Sequence, residues 1–216
     1  MLLLLAAVGW WYSPMSPRVP AAPDVVLDVG AGTQGDRVPG VRCPLPPRVR
    51  AGAAPLQSPV PGGFPALRIA GARVTPLAGL SLDARVLSRR DYDFGREADF
   101  SPTDLALGWD RMREDAVLGA LEIEQRGRWY YYRWQGSPPI PSREIALSSA
   151  NMHFVPGDAA VAAALARVRK DQRVRIDGWL VQIDADDGWR WRSSLARDDQ
   201  GAGACELVLA CAVTPL

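Results

Sequence analysis

The alternation of hydrophobic and polar positions predicts a β-rich domain in the C-terminal two thirds of the chain. In residues 80–88, the apolar side chains of Leu80, Leu82, Ala84 and Val86 occupy alternating positions, which is the pattern of a half-buried strand. Similar patterns, separated by turn residues, lie at 121–125, 128–134, 173–183, 189–193 and 205–213. The first two of these predict a hairpin around Arg126 and Gly127, and the last three close the chain.

Helical signals are fewer. Ser101 and Pro102 are typical of an N-cap and a first helical position, so a short helix is expected to about Leu107. Asp158 is expected to cap the clearest helix, residues 159–169, which has one apolar face. Further predictions are a helical turn at 115–120 and an ambiguous segment at 142–147.

This order of elements predicts an α+β fold. The expected architecture is a small, β-rich, partly open barrel, OB-like, with one main helix before the closing strands. It covers residues 66–216 as a single β-rich domain. Residues 13–65 are rich in Pro, Gly and Ala, which disfavours helices and sheet ladders, so they are expected to form a disordered Pro/Gly-rich tether.

Residues 1–12 are apolar and uncharged, as in a signal or anchor segment. Twelve helical residues span only about 18 Å, which is less than the ~30 Å hydrocarbon core of a membrane. The segment predicts a periplasmic domain tethered to the membrane of a bacterial envelope. The alternatives are a cytoplasmic protein with a misassigned start codon and an apolar arm that packs on the domain.

The charge distribution argues against tight binding to phosphate. The net charge is +1, but residues 80–216 carry 18 basic and 21 acidic side chains, a net charge of −3. A nucleic-acid-binding domain usually carries a basic footprint. Nucleic acid is therefore a disfavoured partner. The abundance of Arg and Pro is attributed to compositional bias, because Ala and Gly are abundant as well.

The three cysteines have no metal-binding spacing. Cys205 and Cys211 lie six residues apart on one predicted strand, about 20 Å along it, so they cannot bridge each other. Their shared apolar face favours buried thiols. The alternative is a disulfide between one of them and Cys43 in an oxidising compartment.

One glycine-rich motif is interpreted as a chance match. Gly30, Gly32 and Gly35 follow an apolar run, and this pattern resembles the cofactor loop of dinucleotide-binding proteins and of S-adenosylmethionine-dependent methyltransferases. In those families the loop opens a helix. Here Pro39 and further prolines follow, so no crossover helix can form and no cofactor is expected.

A metal site is not expected either. His153 is the only histidine, and protein zinc sites need three or four nitrogen or sulfur ligands. The acidic run at 184–187 lacks the spacing and the terminal Glu of a calcium loop, so it predicts a tight turn.

His153 is the weak catalytic candidate. A triad needs a nucleophile, a base and an orienting acid, for which Ser149 with Asp198 or Glu206 is present in the sequence. No spacing shows that these residues converge, which favours a structural histidine. The candidates for ligand binding are Trp109, Asn151, His153, Arg190, Arg192, Arg197, Asp198 and Glu206.

Tryptophan and arginine alternate at residues 189–192. In one interpretation Trp189 and Trp191 form a stacking platform for bases or sugar rings. In the other, which we favour, the tryptophans lie in the core while Arg190 and Arg192 pair with acids outside.

Three stretches carry a resemblance to other proteins: residues 105–109 (LALGW), residues 149–153 (SANMH), and residues 187–194 (DGWRWRSS) continuing through 203–207 (GACEL). Together they resemble a family of uncharacterised proteobacterial proteins in which an N-terminal apolar segment and a variable linker precede the domain. The resemblance covers roughly residues 80–216. It implies one domain with a dispensable tether, and it implies no activity, cofactor or site residue.

Three hypotheses for function follow. The first is a non-enzymatic binding or interaction module tethered at the bacterial envelope, with an unknown protein or small ligand as partner, because no catalytic set is evident. The second is an OB-like protein that binds single-stranded nucleic acid, which the Arg/aromatic strands suggest. The third is a hydrolase that uses His153.

Overall fold

The computed structural model describes the strand Val25–Asp28 and residues 43–196 and 205–216. The apolar segment 1–12, most of the glycine-rich motif and the candidates Arg197 and Asp198 lie outside these residues. Within them, no helix is both long enough and apolar enough to span a membrane.

The strands are β1 (Val25–Asp28), β2 (Leu56–Ser58), β3 (Ala66–Ile69), β4 (Ala72–Asp91), β5 (Thr103–Gly108), β6 (Glu122–Arg126), β7 (Trp129–Arg133), β8 (Ser149–Pro156), β9 (Arg173–Asp184), β10 (Arg190–Arg192) and β11 (Glu206–Pro215). The helices are α1 (Arg96–Phe100), α2 (Asp115–Leu118), α3 (Ser142–Leu147) and α4 (Ala159–Arg167), with a short 3₁₀ helix at Asp110–Arg113.

Five of the strands form a closed ring. β4 pairs with β5, β5 with β8, β8 with β11, β11 with β9, and β9 pairs back onto β4. The pair β8–β11 is parallel, and the other pairs of the ring are antiparallel. The 20-residue β4 closes the ring because its first part pairs with β9 and its last part with β5. This β-rich α+β architecture confirms the coarse fold class predicted from the sequence.

The two faces of the ring have separate apolar cores. Side chains from all five strands, among them Leu82, Leu105 and Phe154, form the inner cluster, which Leu165 of α4 joins. A second cluster, which includes Trp179, covers the other face of β9 and β11. A register shift between Pro76 and Ala78 of β4 changes which face successive residues occupy, so β4 contributes to both clusters.

The prediction of a helix from Ser101 to about Leu107 is wrong. The segment Thr103–Gly108 forms β5, and all six of its residues are buried between β4 and β8. Pairing on both edges outweighs the local capping signal of Ser101 and Pro102. The hairpin and α4 agree with the sequence pattern, and the Asp158 side chain accepts the predicted capping hydrogen bond from the Val161 amide at 2.7 Å.

Part of the segment expected to be a disordered tether is ordered against the ring. Residues 43–58, which we call the strap, lie along β4 and β9. Within the strap, β2 pairs with β4, and the Pro44 carbonyl accepts a hydrogen bond from Trp179 Nε1 at 2.7 Å. Ahead of the strap, β1 pairs with β3. The prolines exclude a helix, as expected, but an extended chain with carbonyl acceptors can still dock on a sheet.

Buried polar groups hold the strap by its backbone. The Ser81 hydroxyl accepts a hydrogen bond from the Val49 amide at 2.9 Å and donates one to the buried Asp177 at 2.5 Å. The Asp83 carboxylate accepts one from the Gly52 amide at 2.9 Å. These side chains therefore pair backbone groups of the strap that would otherwise lack a sheet partner.

A disulfide joins Cys43 of the strap to Cys211 of β11 across a sequence separation of 168 residues. The prediction that favoured buried thiols is therefore wrong for Cys211, and the alternative pairing with Cys43 is the one observed. The strap brings Cys43 beside β11, which the tether interpretation did not anticipate. Cys205 keeps its thiol.

Candidate functional site

The candidate site is built around the hairpin β6–β7, which packs over β5 and β8. Its two turn residues, Gly127 and Arg128, both have positive φ angles, +55° and +67°. Two positive φ values characterise the type I′ turn that matches the twist of a hairpin. That conformation is unfavourable for a residue with a large side chain, so the contacts of Arg128 must stabilise it.

Arg128 makes those contacts with a buried carboxylate. Its Nη1 donates a hydrogen bond to Asp104 Oδ1 at 2.9 Å, and its Nη2 donates one to the Ser101 carbonyl at 2.9 Å. The Asp104 side chain is 0% exposed and that of Arg128 is 16% exposed. A charge in such a place needs a partner of opposite charge, so this pair fixes the hairpin tip to β5.

Tyr92 also contacts the hairpin tip, through Arg128. Its ring lies under the Arg128 guanidinium, with 4.0 Å between Cζ and the ring centroid, and its hydroxyl accepts a hydrogen bond from the Arg128 amide at 3.1 Å. Burial, followed by the negative charge of Asp104, raises the pKa of Tyr92 to about 12. The phenol therefore stays neutral at physiological pH.

His153 shares the same carboxylate. It lies opposite Asp104 in the β5–β8 pair, and its Nδ1 is 2.9 Å from Asp104 Oδ1. Its ring centroid is 5.1 Å from that of Trp191, and the residue is 2% exposed. An Asp–His pair is the orienting half of a catalytic triad. Here Arg128 binds the same oxygen and the imidazole is covered, so the arrangement favours a structural histidine.

Asn151 provides a second connection between hairpin and ring. Its Nδ2 donates a hydrogen bond to the Arg128 carbonyl at 3.0 Å, and its Oδ1 accepts one from Gln125 Nε2 at 2.5 Å. Asn151 and Gln125 are each 7% exposed. We call Asp104, Arg128, His153, Asn151 and Gln125 the latch, because they fasten the hairpin to β5 and β8.

The opposite face of the hairpin is open to solvent. Trp129 is 37% exposed and Tyr131 is 43% exposed, whereas Tyr130 and Tyr132 point inward onto an apolar cluster beneath the hairpin. The outward side chains, which we call the outer face, are those of Glu122, Glu124, Arg126, Trp129, Tyr131 and Arg133. Strand register places Glu124 opposite Tyr131.

The structure brings two of the eight ligand-binding candidates, Asn151 and His153, together in the latch. Trp109 is 2% exposed in the inner cluster, and Glu206 is 3% exposed at the start of β11. Both are therefore buried rather than displayed to a ligand.

Arg190 and Arg192 lie on the short strand β10. They are exposed, and they hydrogen-bond Asp184 at 2.6 Å and Gln182 at 2.6 Å. The indoles of Trp189 and Trp191 pack against the second cluster instead. The interpretation in which the tryptophans are structural therefore agrees in part: they are half-buried against the cluster, Arg190 pairs with an acid as expected, and the partner of Arg192 is an amide oxygen instead.

Sequence reasoning missed Asp104 and Arg128 as partners. The predicted helix from Ser101 to Leu107 contains Asp104, and the compositional bias toward arginine hides Arg128 among many others. A signal was present in the turn, because Arg126-Gly127-Arg128 between alternating strands predicts a hairpin whose second turn residue adopts positive φ.

In the part of the chain that the structure describes, no group of three or more His, Cys, Asp or Glu side chains is placed to hold a metal ion. The latch fixes the hairpin through Asp104 Oδ1, which accepts a hydrogen bond from Arg128. Asp104 Oδ2 and His153 Nδ1 are buried and make no hydrogen bond with the described residues.

The chain matches no family model, no curated protein and no solved structure. Its function has to be argued from its own residues.

Proposed function

We propose that this chain is a non-enzymatic binding module of the bacterial envelope and that the outer face of the hairpin is its docking surface. The observation that carries the proposal is the exposure of Trp129 and Tyr131 on an element that the latch holds from beneath. Aromatic and arginine side chains are enriched at the centres of interaction surfaces. A held hairpin also loses little conformational entropy when a partner binds.

The finer description of the fold that fits this proposal is an OB-like barrel. Its support is the strand order of the ring, the parallel pair β8–β11, and the position of α4 between β8 and β9. OB folds bind ligands on the face of their second and third strands. In this ring the second and third strands are β5 and β8, and the hairpin covers their binding face. The exposed surface on that side of the barrel is therefore the outer face of the hairpin.

The nucleic-acid hypothesis remains the second candidate, because the OB-like strand order and the exposed rings of Trp129 and Tyr131 suit base stacking. Glu122 and Glu124 on the same surface oppose it. Binding of a fluorescent oligothymidylate should fall steeply with salt if phosphates contribute. Absent or salt-insensitive binding would eliminate this candidate.

The envelope location draws support from two features. The disulfide Cys43–Cys211 is typical of oxidising compartments, and residues 1–12 have the apolar character of an export or anchor segment. Protease accessibility of a C-terminal tag tests the location. Digestion only after the outer membrane is opened supports a periplasmic domain, whereas protection until lysis contradicts it.

The docking surface is tested by a photo-crosslinking amino acid placed at Tyr131 in living cells. We expect a discrete adduct, to a partner molecule or within the chain, that disappears when Trp129→Ala is added. The control position is Phe94, which is 91% exposed but lies outside the hairpin. Equal adducts from positions 131 and 94, or none from position 131, would contradict the proposal.

A further inference from the structure

We infer that the outer face takes a proline-rich extended peptide, and that its occupant is the proline repeat of this chain, residues 14–23. This inference rests on the proposed docking surface. Prolines stand at positions 14, 17, 20 and 23, a strict spacing of three. A polyproline II helix has three residues per turn, so a peptide with this spacing presents every proline along one edge.

The outer face carries two neighbouring aromatic side chains, which we call the aromatic ridge, and a proline-rich peptide binds to such side chains. Trp129 and Tyr131 are two residues apart on β7, so they stand on the same side of the strand about 7 Å apart. Proline-rich segments dock in grooves lined by aromatic side chains, and their preformed helix loses little entropy on binding. The exposed indole of Trp129 also offers a hydrogen-bond donor for a peptide carbonyl.

The strap shows the same chemistry within this molecule. Trp179 donates from its indole to the Pro44 carbonyl at 2.7 Å, and Phe64 packs edge-on to the same indole with 4.6 Å between ring centroids. A tryptophan of the ring therefore binds a proline-rich segment of this chain through a backbone carbonyl. On the outer face, Trp129 presents the same indole donor beside Tyr131, and no strap covers them among the described residues. The Arg126 guanidinium lies over the Tyr131 ring, with 5.0 Å between Cζ and the ring centroid.

Charge complements the apolar contact. The repeat carries one charged side chain between its outer prolines, Arg18. On the outer face Glu122 is paired with Arg133 at 2.5 Å, whereas Glu124 has no salt bridge among the described residues. Glu124 lies opposite Tyr131 in the strand register, which places a carboxylate beside the aromatic ridge. Arg18 of a docked repeat would pair with Glu124.

The test is a titration of the full chain with a synthetic peptide of residues 13–24. The chain carries the substitutions P14A, P17A, P20A and P23A, so its own repeat does not compete. Binding is followed by the NMR signal of the Trp129 indole N–H, which is assigned by its loss in Trp129→Phe.

We expect saturable shifts of this signal. Tyr131→Ala should weaken binding about ten-fold, as for a residue at the centre of an interface. Glu124→Lys should weaken binding several-fold, and this loss should shrink in high salt. The control Phe94→Ala should leave the affinity within two-fold.

Two results would overturn the inference: a peptide with alanine at all four proline positions that binds equally well, or no shift of the Trp129 signal at millimolar peptide. The proposed function fails separately. If position 131 crosslinks to a partner in cells but the peptide does not bind, the docking surface stands and its occupant is wrong. If position 131 gives no crosslink and the peptide does not bind, the docking surface and its occupant are both wrong.

Discussion

At the scale of single residues, a buried ion pair fastens the hairpin to the ring. Asp104 has no exposure, and its nearest positive group is Arg128, at 2.9 Å. A buried ion pair adds little net stability compared with apolar packing, but the loss of one partner leaves an uncompensated charge. Arg128 is therefore the residue whose replacement should matter most.

We expect Arg128→Met to lower the free energy of unfolding by about 3 kcal/mol, because methionine fills the space but leaves Asp104 unpaired. Urea denaturation measures this. Arg126→Met is the matched control, since Arg126 is exposed and two positions away; its effect should stay within about 0.5 kcal/mol. Adding Asp104→Asn to Arg128→Met should restore part of the loss, and a purely additive result would contradict the pairing.

Asp83 makes the strap sensitive to acid. Burial alone would raise the pKa of Asp83, but hydrogen bonds from the Gly52 amide and Arg173, with the positive charges of Arg173 and Arg113, lower it below its usual value. A lowered pKa stabilises the folded chain above the unfolded value of about 4, and that stabilisation is lost as the pH falls through the folded value.

We therefore expect amides 49–52 to lose hydrogen-exchange protection below about pH 4, before the inner cluster does. Asp83→Asn should remove most of this pH dependence. Asp186→Asn, at an acid whose side chain is 84% exposed, is the control and should leave it unchanged. Protection that does not vary with pH in the wild-type chain would show that Asp83 does not hold the strap.

Residue roles were the least predictable part of the sequence. The sequence singled out His153 and Asn151, and both lie in the latch, but their partners Asp104 and Arg128 were not recognised. The reason is physical: pairing depends on β5 lying beside β8, and no local pattern contains that information. Trp109 and Glu206 are also candidates for ligand binding in the sequence, but the fold buries both.

At the scale of elements, the hairpin links the latch to the docking surface. Its turn needs positive φ at both positions, and Gly127 supplies one of them without strain. The local alternation of β6 and β7 predicted this element, because a hairpin is a local structure. In contrast, β5 and β8 are strands through pairing with distant segments, and the capping signal at Ser101 misled the prediction.

Gly127→Ala should destabilise the chain by about 1 kcal/mol, because alanine at φ +55° is strained. Gly62→Ala is the matched control, since Gly62 lies in a loop, has no positive φ, and has open space where the added Cβ would stand. Thermal unfolding of the two variants measures the difference. Equal Tm values for Gly127→Ala and the wild type would contradict the turn geometry.

At the scale of the whole molecule, the disulfide Cys43–Cys211 ties the strap to the ring. The sequence predicted the β-rich class, because strand patterns are local and numerous. It did not predict the ordered strap, since a proline-rich segment resembles a tether unless its partners Ser81, Asp83 and Trp179 are known to lie beside it.

Removal of the disulfide should lower the free energy of unfolding by about 2–5 kcal/mol, because the bond closes a loop of 168 residues in the unfolded chain. Urea denaturation of Cys211→Ala, or of the wild-type chain with reductant, measures the loss. Cys205→Ala is the control. This variant keeps the disulfide, so reductant should lower its free energy of unfolding by as much as it lowers that of the wild type. Reductant without effect on the wild-type chain would show that the bond contributes no stability.

We propose that the latch holds the hairpin so that its outer face can bind. Hydrogen exchange of the Arg128→Met chain tests this most directly. We expect amides of β6 and β7 to exchange at least about ten-fold faster than in the wild type, through a local opening that urea barely promotes, and we expect the crosslink at position 131 to be lost. Amides of β9 and β11 should exchange only through the global unfolding that urea promotes steeply. Unchanged protection in the hairpin, or hairpin amides that open only together with β9 and β11, would contradict this.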